Sequence, residues 1–354
     1  MRKQILTIAV IITLGFKPQA QVRSENLFYM TDNPQSFESF QNNASQISIV
    51  CPQVFRISKE GVLSGTIDPR VLKIAKANKI KVMPLIVNVG NSGFNSGLLH
   101  DIVSNPVARK RAVGMMLIYA KQYGLDGWQF DLEGLNIQDR DSFTVFFKEA
   151  ANALHHENLQ MSAALVHAVE NVGGTTPYLN FLYEDWRAGY SFKELAEAGD
   201  FISIMSYDQH TRRTTPGPVA GKEWVERIIK YLLAEGIPPE KLSLGIPNYS
   251  KHWFTDYTEE KGAFSNAQGL GYSAVQYLLK KNDAKSFWND KAGCNYAVWD
   301  NDGVFEYVFI EDAQSLKPKL DLLKKYNLRG ISVWVLGSED PAFWNILAKE
   351  TKRK

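Results

Sequence analysis

The stretch from Gly124 to Gly134 reads GLDGWQFDLEG. As a strand it alternates: Trp128, Phe130 and Leu132 point one way, and Gln129, Asp131 and Glu133 the other. Residues two apart on a strand share a face, about 6.6 Å apart at Cα, so the carboxyls of Asp131 and Glu133 can come within reach of each other. A second negative charge that close raises one of the two pKa values. Glu133, the outer residue, would then hold a proton near neutral pH and act as a general acid with Asp131 in support. Asp126 has the opposite parity and is expected to tie the strand start to a neighbour. A solvated strand end would not explain three large apolar residues on the other face. A metal site would need a histidine or a third carboxylate, and no sequence-local histidine completes the set; no metal or cofactor is expected.

Two further clusters could join this chemistry. SIMSYDQ brings Tyr207 and Asp208 to the end of another apolar run, with Met205 sharing the parity of Tyr207. A phenol beside two carboxylates can donate a hydrogen bond to a reacting oxygen, although simple packing explains Tyr207 equally well from this run alone. Near the C-terminus Trp334 lies in GISVWVLG, with Ser332 and Leu336 expected on its face. An indole at a cavity mouth can floor a sugar ring, and a plain core tryptophan is just as common.

What must position these groups is a repeating scaffold. Strand-like runs span 27–30, 47–52, 81–88, 127–132, 160–166, 201–207, 242–247 and 330–337. KVMPLIVN and FISIMSYD are almost continuously apolar, as in parallel strands covered on both sides. Amphipathic helices separate them. NPVARKRAVGMMLIYAKQYG carries an Asn105 cap, Pro106 at the first helical position and Gly124 at the stop. DSFTVFFKEAANALHHEN is expected to be capped by Asp141 or Ser142, with His155 and His156 at an exposed end. About eight strand–helix alternations point to an α/β (β/α)8 barrel, with a doubly wound open sheet as competitor. The pattern lapses over 248–313, where a helix-like SAVQYLLKKND and the runs NYAVWD and FEYVFIED, joined by the turn signal DNDG, predict a small α+β insertion.

The 354 residues carry 40 basic and 38 acidic side chains, a formal charge of +2. Arg2 and Lys3, an apolar run to Phe16 and the small-residue zone KPQAQ read as a secretory signal peptide, 1–20, too short to span a bilayer. Its removal takes away Arg2, Lys3 and Lys17 and no acid, leaving −1 on residues 21–354. Such a chain has no electrostatic footprint for nucleic acid or anionic membrane; a secreted or periplasmic monomer is expected. The basic tail KETKRK reads as a solvated end. With Cys51 and Cys294 alone, the chain is no disulfide scaffold, and two buried free thiols are expected.

Taken together, DGWQFDLE (126–133), MSYD (205–208) and Trp334 resemble glycoside hydrolase family 18, the chitinase-like barrel hydrolases, whose fourth-strand signature is D-G-x-D-x-D-x-E. The order and spacing agree over most of the chain. GVLSGTIDPRVLKIAKANKIKVMPLIVN, GIPNYSKHW and FIEDAQSLKPKLDLLKKYNLRGISVWVLG are similar to the bacterial branch with spore-cortex and peptidoglycan-fragment N-acetylglucosaminidases. The cell-wall-binding repeats often attached to that branch are not found, so wall attachment is not expected.

The resemblance implies substrate-assisted retaining hydrolysis of β-linked N-acetylglucosamine glycans, with Glu133 as acid/base, Asp131 as assisting carboxylate and Tyr207 as hydrogen-bond donor. It also implies that Gln129, Met205, Asp208 and Trp334 support or contact the bound sugar. Tyr249, Trp253, Trp186 and Trp299 are candidates for substrate contacts, and each is equally explained as core or insertion packing. The polymer stays open among chitin-type oligomers, peptidoglycan fragments and N-glycan cores. A non-hydrolytic glycan-binding relative is the alternative; such proteins commonly lose the terminal Glu that this chain keeps. A barrel hydrolase using two carboxylates directly is a third. The departure from the signature is Gln129, where relatives carry Asp or Asn: an amide can hydrogen-bond Asp131 from below but cannot share a proton with it.

Overall fold

Eight apolar strands alternate with helices in a computed structural model that describes residues 21–91, 93–170 and 173–354; the expected signal peptide lies outside the described residues. The strands are β1 (Val22–Met30), β2 (Ile49–Pro52), β3 (Lys81–Val82, resuming at Leu85–Val87), β4 (Gly127–Asp131), β5 (Gln160–Val166), β6 (Phe201–Met205), β7 (Leu242–Pro247) and β8 (Gly330–Trp334). Each pairs in parallel with the next, and β8 returns to β1 through Glu25↔Gly330 to Phe28↔Val333, so the sheet closes into a barrel. Closure excludes the open doubly wound alternative.

The run 81–88 is not one continuous strand. Lys81–Val82 pairs with β2, and Leu85–Val87 pairs with β4. Pro84 lies between them and has no N–H to give a ladder; its carbonyl still accepts from Gln129 N at 3.1 Å. The gap this leaves is filled by the short strand Phe55–Ile57, which pairs with Leu85–Val87.

Two layers of apolar side chains hold the barrel. Outside, Trp128, Phe130 and Leu132 pack beneath the helices, with Phe130 4.9 Å from Phe146 between ring centres. Inside, Leu27, Tyr29, Ile49, Cys51, Leu85 and Phe201 form a smaller cluster. Helix Pro106–Tyr123 starts where Asn105 accepts from the amides of Val107 and Ala108 and stops at Gly124, φ 64°. Helix Arg140–His156 begins earlier than its sequence suggests, and neither Asp141 nor Ser142 caps it. Asp139 precedes the first turn, with its carboxylate turned to His100 Nδ1 at 2.8 Å.

The basic tail is not a solvated end. Thr351–Arg353 adds a parallel strand to the start of β1, whose edge would otherwise expose unpaired backbone groups. Arg353 donates to the carbonyls of Asn78 (2.9 Å) and Lys79 (2.8 Å), at the C-terminus of helix Pro69–Asn78.

Between β7 and β8 stands an antiparallel sheet in the order Gly262–Leu270, Ser250–Thr258, Val304–Ile310, Cys294–Asn301, Ser286–Asn289. Helix Tyr272–Lys281 accompanies it, and Val275 joins a cluster with Ala297, Trp299 and Val308. In DNDG, Asp302 and Gly303 both take positive φ (54° and 83°), the requirement of a two-residue type I′ hairpin. Cys51 and Cys294 are both buried free thiols.

Candidate active site

The C-terminal end of β4 aims the carboxylates. Gly127 lets the strand in: a Cβ there would lie 2.2 Å from the Gln160 carbonyl oxygen. Asp126 anchors the strand start, accepting from Val82 N at 2.8 Å. Beyond it Gln129 and Asp131 face the barrel interior, and the regular strand ends at Asp131. Glu133 is then fixed by its backbone. Its N–H donates to Asn88 Oδ1 (2.9 Å) and its carbonyl accepts from Asn88 Nδ2 (2.8 Å). Tyr190 donates its hydroxyl to the Leu132 carbonyl at 2.8 Å. Neither Asn88 nor Tyr190 stands out in the sequence; the only signal is a polar residue ending the apolar run KVMPLIVN.

Beneath Asp131 the barrel holds a polar layer. Gln129 Nε2 donates to Ser162 Oγ (3.0 Å) and Ser203 Oγ (3.1 Å). Ser332 Oγ joins Ser203 (2.8 Å) and Ser243 (2.6 Å). Both amide hydrogens of Gln129 are thereby used, so the expected donation to Asp131 is not made. Gln129 Oε1 and Asp131 Oδ1 are buried without a hydrogen-bond partner among the described residues. Both are acceptors, and they can bond to each other only with a proton between them.

Burial sets the electrostatics. It pushes the Asp131 carboxyl up to about 7, opposed by the Gln53 side chain. Glu133 is held well above the ordinary glutamate range by burial, then by the charges of Asp131 and Asp208. The Tyr207 phenol is raised well above 10 by burial and by its anionic neighbours, so it remains a neutral donor. Asp208, with φ 59°, accepts from Tyr249 Oη (2.8 Å) and Lys251 Nζ (2.5 Å). Lys251 comes from the first insertion strand, a partner that local spacing could not reveal.

Glu133, Met205, Tyr207 and Asp208 line one open cleft with Trp186 and Arg187. Its volume, about 490 Å³, lies within the roughly 300–1,000 Å³ typical of small-molecule pockets. Trp334 is partly exposed above the inner cluster, 5.6 Å from Tyr29 between ring centres. Leu336 does not share its face: the strand ends at Trp334, and Leu336 packs in the outer layer. Tyr249 stands edge-on to Tyr207 at 6.2 Å.

Trp253 is different. It is 4% exposed, with its ring edge-on to Phe309 inside the insertion sheet. Buried in this way, it offers no face for stacking. Trp299 is likewise buried in the insertion core. Among the described residues no group of three His, Cys, Asp or Glu side chains could hold a metal ion.

The family model described as "Glycosyl hydrolases family 18" matches residues 28–339. The chain belongs to glycosyl hydrolase family 18. It is a glycosidase related to chitinases and to spore cortex-lytic enzymes.

Its relatives include the "Uncharacterized glycosylase YvbX" of Bacillus subtilis, 25% identical over 351 residues, with 98% of this chain and 97% of that protein covered. The "Cortical fragment-lytic enzyme" of Bacillus subtilis is 26% identical over 298 residues, covering 84% and 66%. The spore cortex-lytic enzyme SleL of Bacillus megaterium has the same fold, with a TM-score of 0.83 at 23% identity over 95% of this chain and 76% of that one.

Proposed function

We propose that this family 18 member is a secreted, substrate-assisted retaining glycosidase acting on β-linked N-acetylglucosamine glycans. The observation that carries the reading is Glu133, a carboxyl facing the cleft whose pKa is held well above the ordinary glutamate range by burial and then by the charge of Asp131. The mechanism belongs to the substrate-assisted exceptions to the two-carboxylate retaining scheme. Glu133 gives its proton to the glycosidic oxygen as that bond breaks. The nucleophile is the substrate's own 2-acetamido carbonyl oxygen, which closes onto the anomeric carbon to form an oxazolinium-like intermediate. Asp131 orients the acetamido N–H and balances the positive charge, and Tyr207 donates a hydrogen bond to the attacking carbonyl. Glu133, now ionised, takes a proton from the water that opens the ring, which restores the acid and retains configuration. Trp334 floors the reacting sugar.

Secretion rests on the signal-peptide pattern of residues 1–20. Among the described residues no helix is long and apolar enough to cross a membrane. The retained Glu133, Asp131 and Tyr207 favour an enzyme over a non-hydrolytic glycan binder. Digestion of a panel of chito-oligomers, muropeptides and an N-glycopeptide by the wild type and by Glu133→Gln tests the reading. Cleavage of one class by the wild type alone is expected. If no member is cut in a Glu133-dependent way, the enzymatic reading fails.

A further inference from the structure

The cleft that Glu133 lines also carries a cation with an unusual partner. Arg187 ends the irregular turn Tyr183–Arg187 and is partly buried. Its Nη2 lies 3.1 Å from Nε2 of His167, and His167 Nδ1 lies 3.3 Å from the Met205 carbonyl oxygen. A carbonyl only accepts, so Nδ1 carries the hydrogen and Nε2 is the acceptor for the guanidinium. His167 is 8% exposed, edge-on to Trp224. Burial, then the charge of Arg187, holds its pKa down at about 3, so it stays neutral and orients Arg187 without cancelling its charge.

No salt bridge cancels it. Arg212 and Arg213, exposed on the loop after β6, line the same cleft. Among the described residues none of the three arginines forms an ion pair with a carboxylate. Of the acids that line the cleft, Asp208 is paired with Lys251, and Glu133 is held well above the ordinary glutamate range by burial and then by neighbouring charge. Glu170 is exposed and acts on Arg187 only through its charge. A partly buried guanidinium without a salt-bridge partner carries a desolvation cost, and its fork matches a carboxylate.

We propose that the cleft selects a glycan carrying a carboxylate, gripped by Arg187 with Arg212 and Arg213 beside it, on the sugar adjoining the scissile bond. This rests on the N-acetyl glycosidase reading and narrows its substrate to acidic members such as peptidoglycan fragments, away from neutral chitin. The carboxylate has two chemical sources there: the 3-O-lactyl ether of the glycan itself, or the stem peptide that amidates it.

The test compares kcat/KM, within each protein, for four substrates: a neutral chito-oligomer, a peptide-free lactyl glycan of equal length, its lactyl methylamide, and the peptide-bearing glycan. The wild type is expected to favour the lactyl acid over its methylamide by about tenfold or more, less at high salt. Arg187→Met should reduce that ratio to about one, and Arg212→Ala/Arg213→Ala should reduce it in part. Ratios taken within one variant are insensitive to a partly unfolded fraction. A preference confined to the peptide-bearing glycan would assign the carboxylate to the peptide. Equal kcat/KM across all four, or a preference untouched in both variants, overturns the proposal. If nothing is cut in a Glu133-dependent way, the glycosidase reading falls. Affinity of Glu133→Gln for the lactyl acid against its methylamide then decides the carboxylate site alone, a higher affinity for the acid supporting it and equal affinities overturning it.

Discussion

Asn88 holds Glu133 by both sides of its backbone: Oδ1 accepts the Glu133 N–H at 2.9 Å while Nδ2 donates to the Glu133 carbonyl at 2.8 Å. The strand has already ended at Asp131, so no ladder bond fixes the residue proposed to deliver the proton. A buried side chain from the neighbouring strand end replaces the missing ladder. Asn88→Ala should therefore misplace the acid and leave the remaining cleft intact. The expectation is a fall in kcat of about 10²-fold, the scale of a 1 Å misplacement. KM should change far less. Steady-state kinetics would show the split, and an unchanged kcat would mean that Glu133 is held by something else.

The limbs of the pH–rate profile follow from the same two carboxyls. In the proposed mechanism Glu133 must be protonated to cleave, and its pKa is raised by burial and by Asp131 and Asp208. Activity is thus expected to persist through neutral pH and to fall as pH rises through that raised value. In the proposed mechanism Asp131 must be ionised to balance the oxazolinium charge, so activity should also fall as pH drops below about 7. The pair titrates together, and the profile reports the pair. Glu133→Gln should lose about 10²–10⁴-fold in rate and the alkaline limb with it.

Much of this is legible in the chain. The eight strands show because buried parallel strands are apolar along their whole length, and the alternation in GLDGWQFDLEG separates an outer face from a catalytic one. What stays hidden is nonlocal. Asn88, Tyr190 and Lys251 act on residues far from them in sequence, and one polar side chain at the end of a strand looks like any other. Local pattern also misleads at the ends. Leu336 keeps the right parity for a strand that stops at Trp334, and KETKRK has the composition of a free tail although β1 offers it an edge. Trp253 reads as a sugar-binding face because composition cannot tell a stacking ring from one buried in packing.

Gln129 offers a sharper test. Its two amide hydrogens are spent on Ser162 and Ser203, which leaves only an acceptor for Asp131. Gln129→Asp would put a second carboxyl beside a buried one, and a like charge raises the pKa of its neighbour, so the acid limb of the profile should move up by about one pH unit, with activity retained. A profile that stays in place would show that the residue at 129 does not communicate with Asp131.

Stability should respond to Asp131 in the opposite sense to an ordinary salt-bridged aspartate. Burial raises its pKa from the usual range near 4 to about 7, so between those values the folded state binds more protons than the unfolded chain. The linkage slope is then negative, and stability contributed at this site is full at low pH and declines as pH rises from about 4 to about 7. Asp131→Asn removes the charge that the barrel must bury. The variant should be inactive yet more stable than the wild type above pH 7, by a few kcal/mol, since each pH unit separating the folded and unfolded pKa values is worth about 1.4 kcal/mol. Near pH 4 the two should converge. Denaturant unfolding at the two pH values measures the difference directly, and a variant less stable than the wild type at high pH would mean that the Asp131 carboxylate is compensated within the barrel.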